Sequence, residues 1–133
     1  MRFAAVLTAL ILFAPPLSAT VLLPADFREI VNGSQIIVYG RIVDVRPEWT
    51  NGRRQIESVV TLQPAEFFRG TPSGRLTFRV PGCRIGRYKS VTVGAPEFRP
   101  GDEVVLFLRA RGPAVPQVFG LNQGVYRVRV DGR

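Results

Sequence analysis

The sequence predicts an all-β fold, a small antiparallel barrel with one short N-terminal helix, and three observations predict it. Beyond residue 35 the apolar residues come in short runs at strand spacing. Turns bearing Gly or Pro separate these runs about every ten residues. Only one segment, 24–31, carries apolar residues at helical spacing.

Residues 1–19 read as an export leader. Arg2 supplies the positive start, Phe3 to Ala14 is apolar apart from Thr8, and Pro15-Pro16-Leu17-Ser18-Ala19 ends in small residues. Cleavage is expected after Ala19. The apolar run falls short of the roughly 20 residues that span a bilayer, and no later run reaches that length, so no transmembrane segment is expected once the leader is gone. The rest, 20–133, is expected to be a single domain of about 110 residues, enough for one modest core.

In the mature chain, Pro24 suits a first helical turn, Phe27, Ile30 and Val31 share a face, and Asn32-Gly33 ends the helix. From Gln35 to Trp49 apolar residues fall on both parities, which predicts a long bent strand with its bend or bulge at Gly40. Asn51-Gly52 is the expected two-residue hairpin turn. The return strand runs from about Arg54 to Phe68 with Ile56, Val60 and Leu62 inward, and Pro64 marks an edge or a break.

After the turn at 70–74, Leu76, Phe78 and Val80 are expected inward, with Thr77 and Arg79 facing water. Residues 81–87 read as a glycine-bearing loop, and Tyr88 to Val93 adds a short strand. The connection 94–102 leads to Glu103–Leu108, an apolar run suited to a central strand buried on both faces. Val118–Leu121 and Val125–Val130 supply the last two strands. The closing Asp131-Gly132 has no strand after it, which marks a frayed tail or a domain shortened at its C-terminus.

Composition narrows the chemistry. The chain has no histidine, so it offers no imidazole base, no Ser/His/Asp or Cys/His nucleophile system and no histidine-bearing zinc site. A single cysteine, Cys83, forbids an internal disulfide; it is either a buried, inert small hydrophobe or a reactive thiol available for cross-linking. Eighteen basic residues stand against 10 acidic, a net charge of +8 that loses only Arg2 with the leader. Seventeen of the 18 are arginine, a bias that a GC-rich coding sequence produces as readily as selection for phosphate contacts.

Candidate binding residues are few. Arg84, Arg87 and Lys89 cluster around Gly82 and Gly86, a loop that either holds an anion or is simply solvated. Trp49, beside the hairpin turn, is either an exposed anchor or a plug over the barrel end. Aromatic residues interleaved with arginines, Phe67, Phe68, Phe78, Tyr88 and Phe98, have the composition of a nucleic-acid platform, but the strand parity of Phe78 is that of the core. Asp102 and Glu103 are adjacent on a strand and point to opposite faces, so they cannot share a substrate, and Glu57 and Glu66 have no evident partner. No catalytic residue, cofactor or metal is expected.

Several segments together carry a resemblance. Ile36–Val45, Phe67-Phe68-Arg69-Gly70, Arg79-Val80-Pro81-Gly82, Gly94–Leu108 and Gly120–Val128 resemble those of small exported bacterial proteins of unassigned function, over nearly all of the mature chain. The order of elements is similar to netrin-like domains, the OB-fold-like barrel class that includes tissue inhibitors of metalloproteinases. Those inhibitors act through an N-terminal cysteine; here the mature chain begins at Thr20 or Val21, so the resemblance implies fold and not that activity. The expectation is therefore an exported (periplasmic or secreted), non-catalytic module. Its partner is an extracytoplasmic protein such as a secreted or envelope enzyme, or alternatively a polyanion, glycan or anionic lipid, held by the Arg-rich loop. Export argues against nucleic acid.

Overall fold

The computed structural model describes residues 23–110, 112 and 114–129; the expected leader and the closing Asp131-Gly132 turn lie outside the described residues. The elements are α1 (Phe27–Asn32), β1 (Ile36–Thr50), β2 (Gln55–Arg69), β3 (Leu76–Pro81), β4 (Cys83–Ile85), β5 (Tyr88–Ser90), β6 (Glu103–Arg109), β7 (Gln117–Val118) and β8 (Val125–Arg127). The fold is thus mostly β, with one short helix.

Five strands close into a ring in the order β1-β2-β3-β7-β6, with β6 returning to pair with β1. The closure is thin at one joint: β3 and β7 meet in parallel at the single register pair Arg79 and Gln117. β8 shares with β7 the edge of β6 opposite β1, and the segment between them bulges away. Consecutive left-handed residues, Gly120 (φ 55°) and Leu121 (φ 61°), end β7 well before the expected Leu121. β8 likewise stops at Arg127, short of Val130.

β1 and β2 explain how one strand shows apolar residues on both parities. The β1–β2 register slips three times, leaving Val43, Ala65 and Phe68 each as an unpaired extra residue. Each extra residue reverses the side on which later side chains fall. On β1 the inward set passes from Val38 and Ile42 to Val45; on β2 it passes from Val60 and Leu62 to Phe67. The irregularity expected at Gly40 is the second of these slips, with its extra residue on β2, and only glycine fits there: a Cβ would lie inside contact distance of the Gln63 carbonyl and 2.9 Å from Pro64 Cα. Pro64 sits beyond the last β2–β3 pair, where that edge of β2 is unpartnered and a missing N–H costs nothing.

Inside the ring, Val38, Ile42, Val60, Leu62, Phe78 and Val104 are fully buried together with Leu106 and Leu108. Phe98, from the connection before β6, closes this core edge-on against Phe78 at 5.4 Å. Outside it, α1 lays Ile30 over Ile37, Phe107 and Phe119. β6 is therefore buried on both faces, as its apolar run predicts. Asp26, not Pro24, opens the helix: its carboxylate accepts the Glu29 N–H at 2.8 Å. Arg69 donates to the carbonyl of Val31, in the last turn of the helix, and to that of Ser34 just after it, tying the end of β2 to α1. No helix among the described residues is long and apolar enough to cross a membrane.

Candidate basic surface at the hairpin end

Two hairpins build one end of the molecule. The first is the tip of β1–β2, where Trp49 lies opposite Ile56 and Thr50 opposite Gln55. The tip is a four-residue loop, 51–54, and not the expected two-residue turn. Asn51, Gly52 and Arg53 are all left-handed, at φ 53°, 64° and 63°. The Arg54 N–H closes the loop on the Thr50 and Asn51 carbonyls at 3.2 and 3.3 Å. Asn-Gly supplies the left-handed start, but the third such residue lengthens the loop and leaves Arg53 and Arg54 exposed.

The second joins part of the expected loop 81–87 to the first half of the strand expected over Tyr88–Val93. Cys83–Ile85 and Tyr88–Ser90 pair antiparallel, turning at Gly86 (φ 57°), so that Arg84 faces Lys89 directly. Hydrogen bonds dock this hairpin on the start of β2. Gly82 N–H reaches the Ile56 carbonyl at 3.0 Å, Ser90 Oγ accepts the Ile56 N–H at 3.0 Å, and Ser58 Oγ donates to the Gly82 carbonyl at 2.9 Å. Docking brings Tyr88 edge-on to Trp49 at 5.6 Å. The Arg87 guanidinium lies 5.2 Å from the Tyr88 ring centre and donates to its hydroxyl at 3.2 Å.

A cleft of about 350 Å³ opens between the hairpins, lined by Trp49, Arg53, Arg54, Tyr88, Lys89 and Ser90 over the buried Ile56. A second cleft, about 330 Å³, lies across the β4–β5 hairpin and is bordered by Cys83, Arg84, Lys89, Val91, Phe98 and Arg99. Glu97 is the one carboxylate among the residues lining the two.

Elsewhere five acids, Asp44, Glu48, Glu57, Asp102 and Glu103, neutralise four arginines, while Glu66 stays without an ion pair among the described residues. Arg41 meets Glu103 at 2.9 Å, Arg46 meets Asp44 at 3.2 Å, and Arg127 meets Asp102 at 3.0 Å. Arg79 spans Glu48 at 2.8 Å and Glu57 at 3.3 Å. Its guanidinium is held above its ordinary range chiefly by the Glu48 hydrogen bond, with further help from Glu57 against partial burial. Glu57 therefore has the partner that its sequence context did not disclose, and Arg79 is clamped rather than simply solvated. Asp102 and Glu103 do point to separate partners. Eleven described cations take part in no ion pair among the described residues, and five of them, Arg53, Arg54, Arg84, Arg87 and Lys89, gather at the hairpin end; the others are Arg28, Arg69, Arg75, Arg99, Arg109 and Arg129. Like charges placed directly opposite, as Arg84 and Lys89 are, destabilise a strand pair unless an anion offsets them.

The structure thus brings the four candidate binding residues, Trp49, Arg84, Arg87 and Lys89, to one end. Sequence reasoning missed Arg53, Arg54 and Ser90 as members. The Asn-Gly turn beside Trp49 was the available signal for the two arginines; the docking of β4–β5 on β2 left none. The aromatic–arginine platform is not assembled: Phe78 and Phe98 are buried, and only Phe68 and Tyr88 of that set are exposed. Cys83 is a free thiol, half-buried at the cleft wall opposite Ser90. Among the described residues no group of three His, Cys, Asp or Glu gathers to hold a metal. Comparison of the chain with protein-family models, curated proteins and solved structures finds no match.

Proposed function

We propose that the chain is a non-catalytic binding module, working outside the cytoplasm, that holds a polyanion at its hairpin end. The observation that carries this reading is the gathering of five cations, without carboxylate partners among the described residues, around the Trp49–Tyr88 pair. Local charge of one sign raises the concentration of an oppositely charged partner, and guanidinium forks bind its phosphate, sulfate or carboxylate groups in two-point fashion. The apolar run of residues 3–14 supports export. As to ancestry of the fold, the closing of β1, β2, β3, β7 and β6 on one core, with a bent β1, supports the OB-like, netrin-like barrel reading.

Retention on heparin tests the function. The protein should bind and elute earlier as salt rises, because exposed charge interactions are screened within about 10 Å at ~0.1 M. Reversing Arg84, Arg87 and Lys89 to Glu should abolish retention; unchanged retention sinks the site.

A protein partner is the second reading, favoured by a different surface. Phe27, 61% exposed, and Tyr126, 42% exposed, form an edge-on aromatic trio with the buried Phe107. Affinity capture with the chain and with a Phe27→Ser/Tyr126→Ser variant tests it: a protein retained equally by both counts against this surface.

A further inference from the structure

Apolar side chains stand beside the cations, and a soluble polyanion gives them nothing to do. Directly after Lys89 and Ser90, Val91 is 71% exposed and Val93 is 91% exposed. Val93 occupies the tip of a turn closed by the Ala95 N–H on the Thr92 carbonyl at 3.1 Å. Tyr88, two residues before Ser90, is also more than half exposed. Scattered apolar residues on a surface are ordinary, but three within six residues of one end, contiguous with unpaired cations, are not. Val91 borders the same cleft as Arg84 and Lys89, so the apolar and basic groups share one surface.

We propose that this end docks on an anionic lipid surface, with Val91 and Val93 entering the headgroup layer and the cations of the two hairpins meeting lipid phosphates. The inference rests on the polyanion reading above and names the polyanion. An acidic glycan offers the charges alone. A lipid leaflet offers phosphates at its surface and an apolar layer within about 5–10 Å of them, the two environments this end presents together. Lys89 is placed to lay its alkyl stem along that boundary and keep its ammonium at phosphate level. Tyr88 belongs at the same depth, its ring apolar and its hydroxyl wet.

Flotation of the full chain with vesicles tests the proposal, comparing phosphatidylcholine vesicles with and without phosphatidylglycerol. Residues 1–19, Arg2 included, are the same in every variant, so a change in the anionic-to-neutral affinity ratio from one variant to the next reports on the substituted end. The ratio should be large, and Arg84→Gln/Arg87→Gln/Lys89→Gln should lower it about a hundredfold, at roughly one kcal/mol per basic residue near an anionic surface. Val91→Ser/Val93→Ser should weaken anionic-vesicle binding about tenfold while leaving heparin retention untouched, since it removes apolar area and no charge. If that variant floats like the wild type, docking through these valines is wrong. Heparin retention without vesicle binding makes the ligand an acidic glycan and overturns the lipid proposal while keeping the polyanion reading. Failure on both supports overturns both.

Discussion

Removing Arg79 should destabilise the sheet by more than a surface arginine usually costs, and the reason is the register of β1 and β2. Glu48 and Glu57 face each other directly across these strands, and Arg79 on β3 bonds to both. In Arg79→Met two partly exposed ion pairs vanish, each worth about 0.2–1 kcal/mol. Two like charges are then left opposed, which costs a similar amount. The expected loss is therefore about 1–2 kcal/mol, read as a fall of roughly 0.5–1 M in the urea midpoint at the slopes usual for small domains.

The decisive test is a change of sign. Glu57→Gln should destabilise the wild type, where it removes an ion pair, and stabilise Arg79→Met, where it removes a repulsion. The coupling should shrink at high salt. Because the guanidinium is held above its ordinary range, its contribution is complete at any pH below that range and lost only above it. The Arg79→Met penalty from this source should therefore be the same at pH 6 and pH 9. Equal destabilisation by Glu57→Gln in both backgrounds would refute the bridging role of Arg79.

Other expectations follow from the same packing. Gly40→Val drives a branched side chain into the Gln63 carbonyl and Pro64, and should cost upwards of about 3 kcal/mol or prevent folding, measured by urea unfolding. Phe98→Ala should cost about 3–5 kcal/mol. Hydrogen exchange should show the release concentrated in residues 91–101, whose one buried anchor is Phe98. Arg84→Gln/Arg87→Gln/Lys89→Gln should unfold at the same urea concentration as the wild type or slightly higher, because it relieves the Arg84–Lys89 opposition; a loss above about 1 kcal/mol would make these residues structural. Cys83→Ser should bind heparin and vesicles as the wild type does, whereas a loss would give the thiol a part in the site.

How far the sequence could be read follows from how local each signal was. β6 was legible because a nearly unbroken apolar run has one meaning in a β protein, and both of its faces are indeed covered. The irregularity at Gly40 and the edge at Pro64 were legible because glycine admits what other residues cannot and proline lacks the N–H a ladder needs, although the extra residue at Gly40 proves to be Ala65 on the facing strand. The parity reversals in β1 and β2 were visible only as apolar residues on both sides, since which residue is squeezed out depends on pairing between strands. β5 was legible as a short strand from Tyr88, though it ends at Ser90 and not Val93, whereas β4 was hidden in a loop because a three-residue strand with an exposed charge carries no apolar alternation; what holds the pair is docking on β2 through Ser58, Ser90 and Ile56. That docking also assembled the site. Arg84, Arg87 and Lys89 are neighbours in the chain and could be picked out, whereas Arg53 and Arg54 join them across about thirty residues of sequence. Counting charges could not separate the clustered cations from the neutralised ones. That took the geometry of Arg41, Arg46, Arg79 and Arg127 with their carboxylates.

The most direct measurement of binding at this end uses the chain's single tryptophan, which lines the cleft between the hairpins. Trp49 emission, followed as vesicles containing phosphatidylglycerol are added, should shift to shorter wavelength and saturate. Phosphatidylcholine alone should leave it unchanged, and Arg84→Gln/Arg87→Gln/Lys89→Gln should move the midpoint to about a hundredfold more lipid. Sedimentable binding to anionic vesicles with no change in Trp49 emission would place the contact elsewhere on the molecule and contradict the account.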